Sequence, residues 1–137
     1  DLNSVELVEF ADALIDSKVD GVILGYSTVD LPDVLRTKFR DEKGGLSGQP
    51  LTDKSTDIIR NFYTLTKGTL PIIGVGGVAN GRQAYDKIKA GASLIQLYTG
   101  MIYEGPTIAH DINTELLNLL KADGYSSITD AVGTAKQ

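Results

Sequence analysis

The stretch GVGGVANG, residues 74–81, is where this sequence concentrates its capacity for chemistry. Glycines let backbone N–H groups approach an anion with no Cβ in the way, and a helix starting just beyond adds unpaired donors and a positive dipole end. A second such place follows at Tyr98, Thr99 and Gly100, where Thr99 adds a hydroxyl. Two turns of this kind after successive apolar runs, with the short helix-like segment GMIYEG behind them, fit a phosphate site at the C-terminal face of a parallel barrel. The same letters also fit a turn that merely tightens a strand–helix join. They also fit a dinucleotide fingerprint, G-x-G-x-x-A, on Gly74, Gly76 and Ala79. That fingerprint requires an acid at the end of the next strand to hold a ribose. The run SLIQLYT ends instead in Tyr98 and Thr99, and the nearest acid, Glu104, lies beyond it.

Little else in the chain is equipped for catalysis. There is no cysteine, which excludes disulfides and thiolate metal sites, and the acidic residues show no metal-ligand spacing. His110, the sole histidine, falls in a helical stretch away from the strand ends and reads as a surface or packing residue. Tyr63, Tyr85, Tyr103 and Tyr125 read as packing residues, and the mixed-charge run FRDEK, 39–43, as exposed.

The elements that must position these turns follow from periodicity. NSVELVEFADALIDSK has helical spacing of Val8, Ala11, Leu14 and Ile15, and Asn3 with Glu6 forms a capping-box start. DGVILGYS is a continuous apolar run suited to a strand covered on both faces. A long connection rich in Gly and Pro runs from 29 to 53, a length often functional in compact domains. TDKSTDIIRNFYTLTKG is a helix with Ile58, Ile59, Phe62, Tyr63 and Leu65 apolar and Gly68 at its end. LPIIGVGG is a strand, RQAYDKIKA a helix stopping at Gly91, SLIQLYT a strand, and PTIAHDINTELLNLLKADG a long helix. The tail YSSITDAVGTAKQ reads as polar. Helix, then strand–helix three times, predicts a parallel sheet, either open and doubly wound or part of a (β/α)₈ barrel. A whole barrel takes about 250 residues, so 137 residues with three strands predict about three βα units.

Composition narrows the function class. The 137 residues are 42% hydrophobic, enough for a core, and the formal net charge of −5 argues against binding a phosphate backbone of nucleic acid. No apolar run approaches the ~18 residues of a membrane span.

Three stretches, GGLSGQPLTDKSTDIIRNFYTLT, PIIGVGGVANGRQAYDKIKAGASLIQLYT and GYSSITDAVG, together resemble the C-terminal part of class 2, quinone-using dihydroorotate dehydrogenases. The resemblance covers nearly the whole chain. It implies that residues 1–137 are the C-terminal portion of an FMN-binding (β/α)₈ (TIM) barrel, and that the parent protein oxidises dihydroorotate to orotate in pyrimidine biosynthesis. Electrons would pass through FMN to ubiquinone, and the location implied is the mitochondrial inner membrane. It implies roles too: Gly76 and Gly77 give N–H groups to the FMN phosphate, Tyr98 and Thr99 complete the cradle, and Gly25, Ser47 and Gly48 lie along the flavin.

The family's strand matching GVILGYST ends in a Thr-Asn-Thr-Thr-like run that holds the orotate ring; here the substrate positions are Tyr26 and Ser27. Ser27 keeps a hydroxyl. Tyr26 replaces an amide, which offers a donor and an acceptor together, by a phenol. The resemblance also implies that the family's serine base and flavin-contacting lysine precede residue 1, so no catalytic base is expected within these residues. The chain is then expected to act with the N-terminal remainder of the barrel or with a second copy of itself. The alternative expectation is a non-catalytic flavin- or phosphate-binding module related to that enzyme.

Overall fold

The computed structural model describes residues 1–32, 35–40 and 42–135. Helix α1, Ser4–Asp16, begins at Asn3, whose side chain accepts from the N–H groups of Val5 and Glu6 while Glu6 reaches back to the Asn3 N–H: the expected capping box. Its buried stripe is Leu7 and Ala11, with Leu14 packed alongside; Val8 and Ile15 are exposed. α1 rests on one neighbouring helix, so a narrow stripe is all it covers.

Strands β1, Val22–Leu24, β2, Ile72–Val75, and β3, Leu94–Gln96, form one parallel sheet in the order β1-β2-β3. The register pairs Ile23 with Ile73 and Ile73 with Leu94. Side chains alternate along a strand, so these three residues share a face and Val22, Leu24 and Ile72 share the other. The second face is covered by α1 and by helix α2, Thr52–Leu65, through Leu7, Ala11, Ile59 and Phe62. The first face is not: Ile23 is 58% and Leu94 63% exposed. The expectation of a strand covered on both faces therefore fails for β1, because all the helices of these residues that pack on the sheet do so from one side.

Helix α3, Gly81–Ala90, starts at Asn80, whose side chain accepts from the Gln83 N–H at 2.9 Å. It packs between α2 and the long helix α5, Ile108–Ala122. Between β3 and α5 lies the short helix α4, Thr99–Glu104, the extra turn the sequence suggested. The tail is more than polar. Ser127 and Asp130 cap a short helix α6, Ile128–Ala131, whose fully buried Ala131 joins Tyr85, Ile88 and Leu120 in a small core. Tyr85 donates to Asp123 Oδ2 at 2.9 Å, and burial with that carboxylate pushes its hydroxyl up to about 12.

The long connection is tied down at its ends. Thr28 and Leu46 exchange backbone hydrogen bonds as an isolated antiparallel bridge. Lys54 Nζ donates to Asp1 at 2.7 Å, to Thr28 Oγ1 at 2.9 Å and to Asp30 at 3.2 Å. Of the FRDEK run, Phe39, Glu42 and Lys43 are exposed as expected, Arg40 is half-buried with its guanidinium on the Pro32 and Leu35 carbonyls, and Asp41 lies outside the described residues.

Candidate functional site

All three strands run the same way, so their following loops emerge on one edge of the sheet. There the loops after β1, β2 and β3 meet the returning end of the long connection around a cleft of about 260 Å³. Its lining includes Tyr26 and Ser27, then Ser47 and Gly48, then Gly76 and Gly77, then Tyr98 and Thr99. Eight of the nine residues singled out in the sequence thus converge. The ninth, Gly25, is not among the lining residues. It sits where β1 leaves the sheet, with φ +111°, and a Cβ there would lie 1.8 Å from the Val75 carbonyl oxygen. Gly25 is a junction of two strand ends, which lets the Tyr26 loop and the glycine turn approach each other.

The glycine turn is fixed from below. Gly76 and Gly77 have φ of +100° and +71°, and a Cβ on Gly77 would lie 2.4 Å from the Thr52 nitrogen. Thr52 Oγ1 is 2.7 Å from the Gly77 carbonyl and 2.8 Å from that of Gln49. Ser55 Oγ is 2.9 Å from the Gly76 carbonyl and 2.8 Å from that of Leu51. A peptide unit is planar and trans, so its N–H points opposite to its C=O. With the Gly76 and Gly77 carbonyls turned to α2, the N–H groups of Gly77 and Val78 turn away from α2, on the side of the cleft. Among the described residues, none accepts a hydrogen bond from the N–H of Gly77, Thr99 or Gly100. Thr99 Oγ1 donates to Ser47 Oγ at 3.1 Å, which joins the β3 loop to the long connection.

The electrostatics suit an anion. Among the described residues no carboxylate lines the cleft. Amides of Gly77, Thr99 and Gly100 without an acceptor, beside the hydroxyls of Ser27, Ser47 and Thr99, are the donors from which an anion-binding concavity is built. Among the described residues no group of carboxylates or imidazoles could hold a metal ion. His110 is exposed on α5, as expected. Tyr103, expected to pack, is exposed beside a neighbouring groove shared with Pro50 and Ala79. Tyr26 has φ +92°, a left-handed backbone rare for an aromatic residue, and its side chain is 72% exposed.

A family profile described as dihydroorotate dehydrogenase matches residues 1–120. The chain belongs to the dihydroorotate dehydrogenase family. It is 49% identical over 133 residues to a dihydroorotate dehydrogenase (quinone) of Xanthobacter autotrophicus, covering 97% of this chain and 37% of that protein. It is 47% identical to the mitochondrial dihydroorotate dehydrogenase (quinone) of Mus musculus, covering 97% of this chain and 34% of the relative. The crystal structure of a ligand-free DHODH from Eimeria tenella superposes with a TM-score of 0.95 at 39% identity, covering 100% of this chain and 38% of that one. The chain therefore spans between a third and two fifths of the length of these relatives and corresponds to their C-terminal part. The fold is accordingly α/β, a three-stranded parallel portion of the dihydroorotate dehydrogenase barrel.

Sequence reasoning passed over the residues beneath the turn. Lys87, on α3, is fully buried and donates to Ser55 Oγ at 2.7 Å, Thr56 Oγ1 at 2.8 Å and the Thr52 carbonyl at 3.0 Å. Desolvation lowers its ammonium to about 8, against a smaller opposing pull from Asp53, Asp86 and Asp57. The signal lay in its spacing: Lys87 falls on the same helical stripe as buried Ala84 and Ile88, opposite the Ser55–Thr56 pair of α2.

Proposed function

We propose that residues 1–137 form the flavin-phosphate part of a quinone-dependent dihydroorotate dehydrogenase, which oxidises dihydroorotate to orotate. The observation that carries this is the meeting of three strand-end loops at one cleft, where, among the described residues, the N–H groups of Gly77, Thr99 and Gly100 have no partner and no acid lines the cleft. A cleft of about 260 Å³ is below the ~300–1,000 Å³ of a whole small-molecule site, so it suits one end of a ligand. The residues fit FMN in that sense. Gly76, Gly77, Tyr98 and Thr99 would hold the phosphate, and Ser47, Gly48 and the Gly25 junction would border the rest of the cofactor. When bound, FMN would supply the two-electron redox chemistry between dihydroorotate and a quinone such as ubiquinone. The chain's own part is to bind and orient; the base that takes the substrate proton would come from the remainder of the protein. Tyr26 and Ser27 would border the substrate. The exposed face of Ile23 and Leu94 would pack against the remaining strands or, in their absence, a second copy. The mitochondrial labels of some relatives support the same compartment for this chain; among the described residues no helix is long and apolar enough to cross a membrane.

The test is an FMN titration of the apo full-length protein, unmodified and as Gly77→Ala, followed by flavin fluorescence. A Cβ at 77 meets Thr52 and forces the turn to move, so FMN affinity should fall at least about tenfold, worth ~1.4 kcal/mol. Unchanged affinity in a folded Gly77→Ala protein would refute the cradle.

Tyr26 favours a second reading, a non-catalytic module that keeps the cradle but lacks orotate recognition. Dihydroorotate turnover by the full-length protein, beside Tyr26→Asn, separates the two. Turnover by the unmodified protein dismisses the module; turnover by Tyr26→Asn alone supports it.

A further inference from the structure

Lys87 is a buried cation with no carboxylate partner among the described residues. Its three N–H groups meet three oxygens, and each of those oxygens must accept. The Thr52 carbonyl has no proton. The Thr56 hydroxyl spends its proton on that same carbonyl at 2.7 Å, and the single Ser55 hydroxyl proton is shared between the carbonyls of Leu51 at 2.8 Å and Gly76 at 2.9 Å. The arrangement therefore calls for the ammonium form, although burial disfavours it. The carboxylates that face Lys87 are Asp53 and Asp57 on α2 and Asp86 on its own helix; all three are exposed and none hydrogen-bonds it. From Lys87 two hydrogen bonds lead to the Gly76 carbonyl: Nζ to Ser55 Oγ, then Ser55 Oγ to Gly76 O. The other side of that peptide unit is the Gly77 N–H.

Resting on the phosphate-cradle reading, we propose that Lys87 is a positioning residue and buried counter-charge for the dianion held at the Gly76–Gly77 turn. It aims the turn's amides through Ser55 and Thr52, and polarises the Gly76–Gly77 peptide so that its N–H becomes a stronger donor. The ligand's negative charge stands in for the carboxylate that the described residues do not supply, so anion binding and the Lys87 proton are linked reciprocally.

The test compares FMN with riboflavin, which has the same ring and ribityl chain but no phosphate, in the apo full-length protein. The unmodified protein should prefer FMN. Lys87→Met should cut that preference about tenfold or more while leaving riboflavin affinity within about threefold, and Ser55→Ala should cut it partly. The preference of the unmodified protein should also fall several-fold from pH 7 to pH 9, as the free protein releases the Lys87 proton, whereas the FMN phosphate, with its second pKa near 6, stays dianionic. In Lys87→Met the preference should be flat with pH. Equal weakening of both flavins would assign Lys87 a merely structural role and overturn the inference, as would an intact preference in Lys87→Met. If Lys87→Met does not fold, the pH series decides, and a flat profile in the unmodified protein overturns it. Should the unmodified protein bind both flavins equally, the cradle reading itself fails, which is a different result.

Discussion

Gly77 and Lys87 show how the site depends on single residues from opposite sides. At Gly77 a side chain is excluded twice, by φ +71° and by Thr52. Gly77→Ala should therefore lose about 2–4 kcal/mol of stability, seen as a lowered denaturation midpoint. Lys87 has the reverse effect on stability, because its ammonium is strained by burial. Its folded value of about 8 lies below the 10.5 of an unfolded lysine, so between these limits the unfolded chain binds more protons. The cost is fully present below pH 8 and relieved as pH rises toward 10.5. The stability of the unmodified protein relative to Lys87→Met should thus rise across that window in urea titrations of the two proteins; a flat difference would contradict the assignment. Tyr26→Asn exchanges an aromatic residue for one that tolerates positive φ, and should raise the melting temperature slightly. The glycine turn and Thr99 were legible because glycines and a hydroxyl after successive strands suit an anion, whereas Gly25, Tyr26, Ser27, Ser47 and Gly48 came from the family resemblance alone. Lys87 was not legible, because a lysine in an amphipathic helix ordinarily faces water, and its place on the stripe of Ala84 and Ile88 was the one sign in the sequence that this one does not.

Among the elements, the start of α3 matters most for the site, since it follows directly on the glycine turn. Asn80 accepts from Gln83 N–H, and Gln83 Oε1 accepts from Ala79 N–H at 2.8 Å, so the turn and the helix are stitched together. Asn80→Ala should cost about 1 kcal/mol in denaturant-derived stability, with a smaller loss of FMN affinity than Gly77→Ala. The helices and strands were readable from periodicity and caps, as Asn3 and Glu6 show. Two features were not. The run VIL looked buried throughout, yet Ile23 faces outward, because a run of apolar letters does not reveal how many layers cover it. The tail looked polar because the signal in it, Ser127 with Asp130, is a single capping box on four residues, and what holds it is the burial of one small side chain, Ala131.

At the scale of the molecule, one sheet face carries helices and the other exposes Ile23 and Leu94 side by side with Ile73. Exposed apolar faces of this kind drive association. Residues 1–137 alone should sediment as more than a monomer, and Ile23→Asp should shift them toward monomer. In the full-length protein the same substitution should destabilise, because there the face would be covered. A monomeric isolated chain, or a full-length Ile23→Asp protein as stable as its parent, would contradict the packing assigned to that face. The edge of the same sheet carries the cleft. A crystal structure of the full-length protein with FMN tests the phosphate cradle there most directly. The account predicts the cofactor's phosphate within 2.7–3.2 Å of the Gly77 and Thr99 backbone nitrogens, the ordinary hydrogen-bond range. A phosphate lying outside this cleft, or held by side-chain cations with those two amides still facing solvent, would contradict it.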